Sequence, residues 1–143
     1  MKVIFLDIDG VMNTSESWSL SLNQQIFDEK VMLLKQIVDK TDAKIVISSS
    51  WRSFNRHMEV VIEKFSKYDL YIYSITPKLG GNNQRGDEIR KWLENNPKFD
   101  SFVILDDDSD MKEYTKTHLI KTNYNIGLTQ EQVDKAISML SSD

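Results

Sequence analysis

Apolar residues in this chain fall into five short runs: Val3-Ile4-Phe5-Leu6, Ile45-Val46-Ile47, Leu70-Tyr71-Ile72-Tyr73, Phe102-Val103-Ile104-Leu105 and Leu119-Ile120. Each is too short for a helix, and β-branched and aromatic residues are frequent in them, which marks them as strands. They predict strands over 2–8, 44–48, 70–73 and 102–105, and a short fifth strand at 119–120. The stretches between them repeat with a helical period. Asp28 is placed to cap a helix over 29–40 that turns Val31, Leu34, Ile37 and Val38 to one side. A helix over 52–66 would send Met58, Val61, Ile62 and Phe65 inward. A third covers 86–95 and stops before Pro97. A last helix over 130–141 is capped by Thr129, has Glu131 and Gln132 in its first turn, and shows Val133, Ile137 and Leu140 as its apolar face. Residues 12–26, polar and with room for a short helix, and 75–84, with Pro77, Gly80 and Gly81, read as loops.

Strands that alternate with helices predict an α/β domain over 1–143, with a parallel central sheet of about five strands covered by helices on both faces. The strand ends then carry the information. The first, second and fourth strands finish in Asp7/Asp9, Ser48-Ser49-Ser50 and Asp106-Asp107-Asp108. In a parallel sheet these three clusters share one edge, where open α/β folds bind ligands.

Composition narrows the chemistry. A chain of 143 residues fits one domain. There is no cysteine, which excludes thiol nucleophiles, Cys-ligated zinc and disulfides, and suits a reducing, cytoplasmic setting. Nothing has the length of a signal peptide core or a membrane span. A net charge of -4 argues against broad, nonspecific nucleic-acid binding but not against a local groove. No Walker-type glycine-lysine-serine pattern occurs, which excludes a P-loop kinase.

Each cluster admits a structural and a functional reading. Asp7 and Asp9 either close a turn or divide nucleophilic attack and proton transfer between them. Gly10 lets the chain turn sharply after them. Asp106-Asp107-Asp108 is either a solvated acidic turn or a hard-cation site, for which all-oxygen ligands favour Mg²⁺. The serines offer hydroxyl and N–H donors to a phosphoryl oxygen, or simply form a polar turn. Arg85 opens a helix, where it could meet a phosphate or lie on the surface. Arg52 lies close enough to the serines to touch substrate, whereas Arg56 reads as solvated. His57 and His118 are isolated and read as ordinary histidines. Trp18, Trp51, Tyr71 and Tyr73 read as packing residues or as candidates for base stacking.

Taken in order, the clusters resemble the haloacid dehalogenase (HAD) superfamily of aspartate-nucleophile phosphatases. Asp7-Ile8-Asp9-Gly10-Val11 is similar to its first motif, Ile45-Val46-Ile47-Ser48 to its second, Arg85 to the cation of its third, and Val103-Ile104-Leu105-Asp106-Asp107 to its fourth. The resemblance covers roughly residues 2–127. More narrowly, Asp7 to Asn13, Ile47 to Arg52 and Arg85 to Ile89 are similar to the HAD domains of Swiss Army Knife RNA repair proteins and polynucleotide phosphatases. The resemblance implies a three-layer Rossmannoid fold without a large cap. It implies that Asp7 attacks phosphorus and that Asp9 serves as acid and then base. Mg²⁺ would be held by Asp7, the Asp9 main-chain carbonyl and Asp107, with Asp106 positioning Arg85 or a metal-bound water. Ser48, with Ser49 as neighbour, would hold the phosphoryl group with Arg85, and Arg52 and Asn13 are further substrate-binding candidates.

The segment between Gly10 and residue 28 has room for a loop but not for a domain, and 75–84 is a loop as well. An uncapped site cannot by itself enclose a small metabolite and exclude water. This favours a phosphorylated nucleic-acid end or nucleotide as substrate, or closure by a partner. A small-metabolite or mononucleotide phosphatase is the second reading, and a catalytically silent phosphate-binding module the third. Oligomeric state is not encoded in any feature of the sequence.

Overall fold

The computed structural model describes residues 1–141; residues 142 and 143, which complete the expected domain, lie outside the described residues. Five parallel strands form one sheet: β1 (Lys2–Leu6), β2 (Lys44–Ile47), β3 (Ile72–Ile75), β4 (Ser101–Asp106) and β5 (Leu119–Lys121). Their spatial order is β3-β2-β1-β4-β5. Four helices cover it: α1 (Asp28–Thr41), α2 (Asn55–Ser66), α3 (Arg85–Asn95) and α4 (Gln130–Ser141). The three-layer α/β arrangement expected from the alternation is the one observed.

β1 is central because it is apolar on both faces: Val3, Ile4, Phe5 and Leu6 are all fully buried. Successive side chains alternate between two cores. Ile4 and Leu6 join Ile45, Ile47, Val103 and Leu105 beneath α1, α2 and α4. Val3 and Phe5 join Val46, Phe102 and Ile104 beneath α3, whose Ile89, Trp92 and Leu93 complete the layer. There the Phe5 ring meets Trp92 and Phe102 edge-on, with centroids 5.4 and 5.7 Å away.

Topology and register fix the position of the site. From β1 the chain runs outward through β2 and β3, then returns across to β4 and β5, so the order of strands reverses between β1 and β4. Ligands bind at such switch points, outside the carboxyl ends of the strands. Leu6 pairs with Ile47 on one side and with Leu105 on the other. The residues that follow these three, Asp7, Ser48 and Asp106, therefore emerge side by side. The ladder continues one step beyond β1, as Asp7 N–H donates to Leu105 C=O and Ser48 N–H to Leu6 C=O, both at 3.0 Å.

Several local expectations are corrected. Asp28 lies inside α1 instead of capping it; Phe27 is at the N-cap without a side-chain bond. Asp28 pairs instead with Lys64 of α2 at 2.5 Å. Residues 52–66 are two elements, a 3-10 turn (Ser50–Ser53) and α2, separated at Phe54. Val61 and Phe65 are buried and Met58 packs against the core as expected, but Val60 is buried with them and Ile62, on the edge of that face, is exposed. β3 begins at Ile72, after a left-handed turn at Asp69. Residues 12–26 hold two 3-10 turns, Ser15–Ser19 and Leu22–Gln24. Thr129 does cap α4: its hydroxyl accepts from Gln132 N–H at 3.3 Å, while the Gln132 side chain accepts from Thr129 N–H at 3.0 Å. Neither of the loops after β1 and β3 contains an inserted domain. Among the described residues, no helix is long and apolar enough to cross a membrane.

Candidate active site

Three carboxylates converge at the switch point. Asp7, Asp106 and Asp107 each bring an oxygen to within 4.8 Å of the others. Asp106 is the last residue of β4 and fully buried, and Asp7 is nearly so. Asp107 reaches the cluster because Gly10 leaves it room. A Cβ at Gly10 would lie 2.4 Å from the Asp107 Oδ2, and Gly10 also adopts φ +81°, a left-handed conformation that glycine takes without strain.

Buried like charges at this spacing demand a counter-charge. Arg85, the first residue of α3, supplies one: its Nη1 lies 2.6 Å from Asp106 Oδ2 and 3.4 Å from Asp7 Oδ2. Burial pulls the guanidinium down, but Asp106 and Asp7 more than offset this and raise its pKa above the ordinary arginine value. One arginine does not balance the three acids. Burial, with Asp106 beside it, still pushes the Asp7 carboxyl well above the usual carboxylate range. Burial raises Asp106 as well, against the pull of Arg85. The cluster is thus an all-oxygen set short of positive charge, which fits a hard divalent cation such as Mg²⁺.

Ser48 completes this part of the site. Its side chain is fully buried, and its hydroxyl has no hydrogen-bond partner among the described residues. A buried orphan hydroxyl is costly unless a ligand satisfies it. Ser49 has a different job, since its hydroxyl caps the 3-10 turn by accepting from Trp51 N–H at 3.1 Å.

Asp9 stands apart from the metal-type cluster, and both of its carboxylate oxygens are held. Trp51 donates its indole N–H to Oδ2 at 3.0 Å, and Asn13 donates its amide to Oδ1 at 3.1 Å. Asn13 is fully buried. It also accepts from Gly10 N–H at 2.9 Å and donates to Gln25 C=O at 2.8 Å. Asn13 therefore braces the loop that carries Asp9, where a substrate contact was expected. Thr122, the residue after β5, braces the same loop, donating to Gly10 C=O at 2.7 Å.

Arg52, expected to touch substrate, is likewise engaged within the protein. Its five N–H groups are directed at Thr76 C=O, Ser48 C=O, Ser49 C=O, Pro77 C=O and the Glu88 carboxylate. With no donor left over, it ties the serine turn to the loop after β3 and to α3. Sequence reading missed the roles of Trp51, Thr122 and Tyr124. The burial-raised Tyr124 hydroxyl also feels the Asp9 and Asp107 charges, which raise it further. These three lie far from the aspartates in sequence, and no spacing rule connects them. The bracing role of Asn13 had a local signal in its position four residues after Asp9.

Residues 3–133 match the family described as the HAD domain in Swiss Army Knife RNA repair proteins. No curated protein matches the chain. Among solved structures, the fold is similar to a chain in the "Structure of Pnkp1/Rnl/Hen1 complex", with a TM-score of 0.54 and 16% identity. The similarity covers 87% of this chain and 46% of that one, so this chain spans less than half the length of that relative. At such low identity the likeness is one of fold.

Proposed function

This chain belongs to the family of HAD domains in Swiss Army Knife RNA repair proteins, and on that premise we propose that it is a Mg²⁺-dependent phosphomonoester hydrolase acting on phosphorylated nucleic-acid ends. The observation that carries the proposal is the convergence of Asp7, Asp106 and Asp107 within 4.8 Å, with Arg85 bridging Asp7 and Asp106. A cap or turn role would not need buried acids gathered from two strand ends.

In this reading an Asp7 carboxylate oxygen attacks phosphorus and the ester oxygen leaves, taking a proton from Asp9. The aspartyl-phosphate on Asp7 is then hydrolysed by a water that gives its proton back to Asp9. This releases inorganic phosphate, frees the Asp7 carboxylate and returns Asp9 to its protonated state. Mg²⁺, held by Asp7, Asp107 and the Asp9 main-chain carbonyl, would supply charge compensation to the phosphoryl oxygens. Ser48 offers its free hydroxyl to one of these oxygens, and Arg85 offsets charge that builds in the transition state. Asp106 keeps Arg85 in place. Trp51 and Asn13 hold Asp9 for its two proton transfers.

Nucleic-acid ends are favoured by the family's link to RNA repair. The fold-level relative was also solved in a complex named for Pnkp1, Rnl and Hen1. The lack of an inserted cap domain leaves the site accessible to a large substrate. The test is a panel of phosphate esters with Mg²⁺, including oligonucleotides phosphorylated at either end, with Asp7→Asn run alongside. The expected result is turnover that needs both Mg²⁺ and Asp7 and prefers oligonucleotides. A stronger preference for a mononucleotide would redirect the substrate assignment, and no metal-dependent turnover anywhere in the panel would sink the enzyme reading.

A further inference from the structure

A cleft of about 190 Å³ opens beside Asp9, walled by Trp18, Trp51, Phe54 and His57. Its aromatic groups are arranged in two tiers. Trp51 is buried, with its indole tied to Asp9 and the His57 ring edge-on to it at 4.8 Å. Trp18 and Phe54 stand at the mouth and are exposed to 76% and 55%. Trp18 is also held in place, because its indole N–H donates to the Tyr124 hydroxyl. Its polar atom is thus satisfied while the ring stays open to solvent. Leaving two large rings uncovered at the rim of a catalytic site forgoes the stabilisation that burying them would bring.

We propose that this cleft is a nucleobase subsite, in which the base of the phosphorylated terminal nucleotide stacks against Trp18 and Phe54. The inference rests on the phosphatase reading above for the placement of the phosphate. The cleft is lined by Asp9 and not by Arg85. Asp9 is the group assigned to protonate the leaving oxygen, so the cleft lies on the side from which the leaving group departs. An Asp9 carboxylate in the wall disfavours an anionic occupant and admits a neutral heterocycle. Gln25 and Ser50 also line the cleft; the Gln25 amide nitrogen donates to Leu20 C=O at 3.0 Å, and its amide oxygen and the Ser50 hydroxyl suit the polar edge of a base. The hydrocarbon perimeter of a phosphorylated tyrosine would leave them unused. Stacking reads every base alike, so the subsite predicts discrimination between a base and none, without sequence preference.

The test uses short single-stranded RNA phosphorylated at the 3′ or the 5′ end, each paired with a version whose terminal nucleotide lacks its base. Binding is measured on Asp7→Asn protein, and kcat/KM on protein with Asp7 intact. For at least one end, the base-bearing probe should be preferred by about tenfold to a hundredfold, the range for one base stacked on an aromatic side chain. Trp18→Ala and Phe54→Ala, made at exposed positions, should each shrink that ratio towards one. Equal handling of the two probes at both ends would overturn the subsite, as would a phosphotyrosine peptide that binds more tightly than either RNA. Base-dependent binding without turnover would leave the subsite standing and sink the phosphatase reading. Mg²⁺-dependent turnover without base dependence would do the reverse.

Discussion

Trp51 donates its indole N–H to Asp9 at 3.0 Å from a position in the turn that follows β2. This bond holds the carboxylate of the proposed acid from across the site, while Asn13 holds it from its own loop. Trp51→Phe keeps an aromatic, though smaller, ring and removes the donor. It should lower kcat about tenfold on an alkyl phosphate, part of the roughly 10²–10⁴-fold that a positioned acid contributes. An aryl phosphate with a good leaving group needs little protonation and should be much less affected. Equal losses on both esters would mean that Trp51 matters only for packing.

The acidic cluster predicts a metal-dependent gain in stability. A cation that binds only the folded chain stabilises it by mass action, about 2.7 kcal/mol at a hundredfold excess over Kd. Mg²⁺ should therefore raise the thermal midpoint of the natural chain by several degrees. Asp107→Asn should abolish most of that rise. Gly10→Ala should do the same by another route, because its Cβ would displace the Asp107 carboxylate. Retention of the full Mg²⁺ shift in either variant would place the ion elsewhere.

Arg52 should behave as a structural residue. Its guanidinium is almost fully buried against Glu88, 2.9 Å away, and it binds four backbone carbonyls. Removing one partner of such a pair leaves the other buried and unpaired, at a cost of about 3 kcal/mol. Denaturant unfolding of Arg52→Ala should show that loss, while KM for a small phosphate ester stays within about twofold. A raised KM at unchanged stability would return Arg52 to the substrate.

His118 predicts a specific acid sensitivity. Its imidazole stacks flat on Phe102, 3.9 Å between centroids, and burial lowers its pKa below the ordinary histidine value. Between the folded and unfolded pKa values, the unfolded chain binds the extra proton. Stability from this group is therefore complete above about pH 6.5, the ordinary histidine value, and is lost as pH falls through the lowered folded value. Unfolding measured at a series of pH values should show a shallower acid decline in His118→Phe than in the natural chain. Parallel curves would contradict the assignment.

The legible parts of this protein were those written in local sequence. The apolar runs gave every strand of the sheet, and the polar residues at three strand ends gave Asp7, Ser48 and Asp106, because parallel register carries adjacent strand tips to one edge. Less legible was whatever depended on side-chain direction across the fold. Arg52 and Asn13 have the right residue types and positions for substrate contact. Only the three-dimensional arrangement shows their donors spent on Ser48 C=O, Thr76 C=O and Asp9. On α2 the apolar residues Val60, Val61 and Ile62 are consecutive, so hydrophobicity alone does not separate the buried Val60 from the exposed Ile62. Trp51 read as either packing or stacking because nothing local joins it to Asp9.

Asp7 as nucleophile is the central claim, and trapping its covalent product tests it most directly. Protein mixed with a radiolabelled phosphate ester and Mg²⁺ would be quenched in acid during turnover, digested and mapped. The account predicts label on the peptide that carries Asp7, chased into inorganic phosphate by unlabelled substrate and absent in Asp7→Asn. Label on another residue, or undiminished turnover by Asp7→Asn, would contradict it.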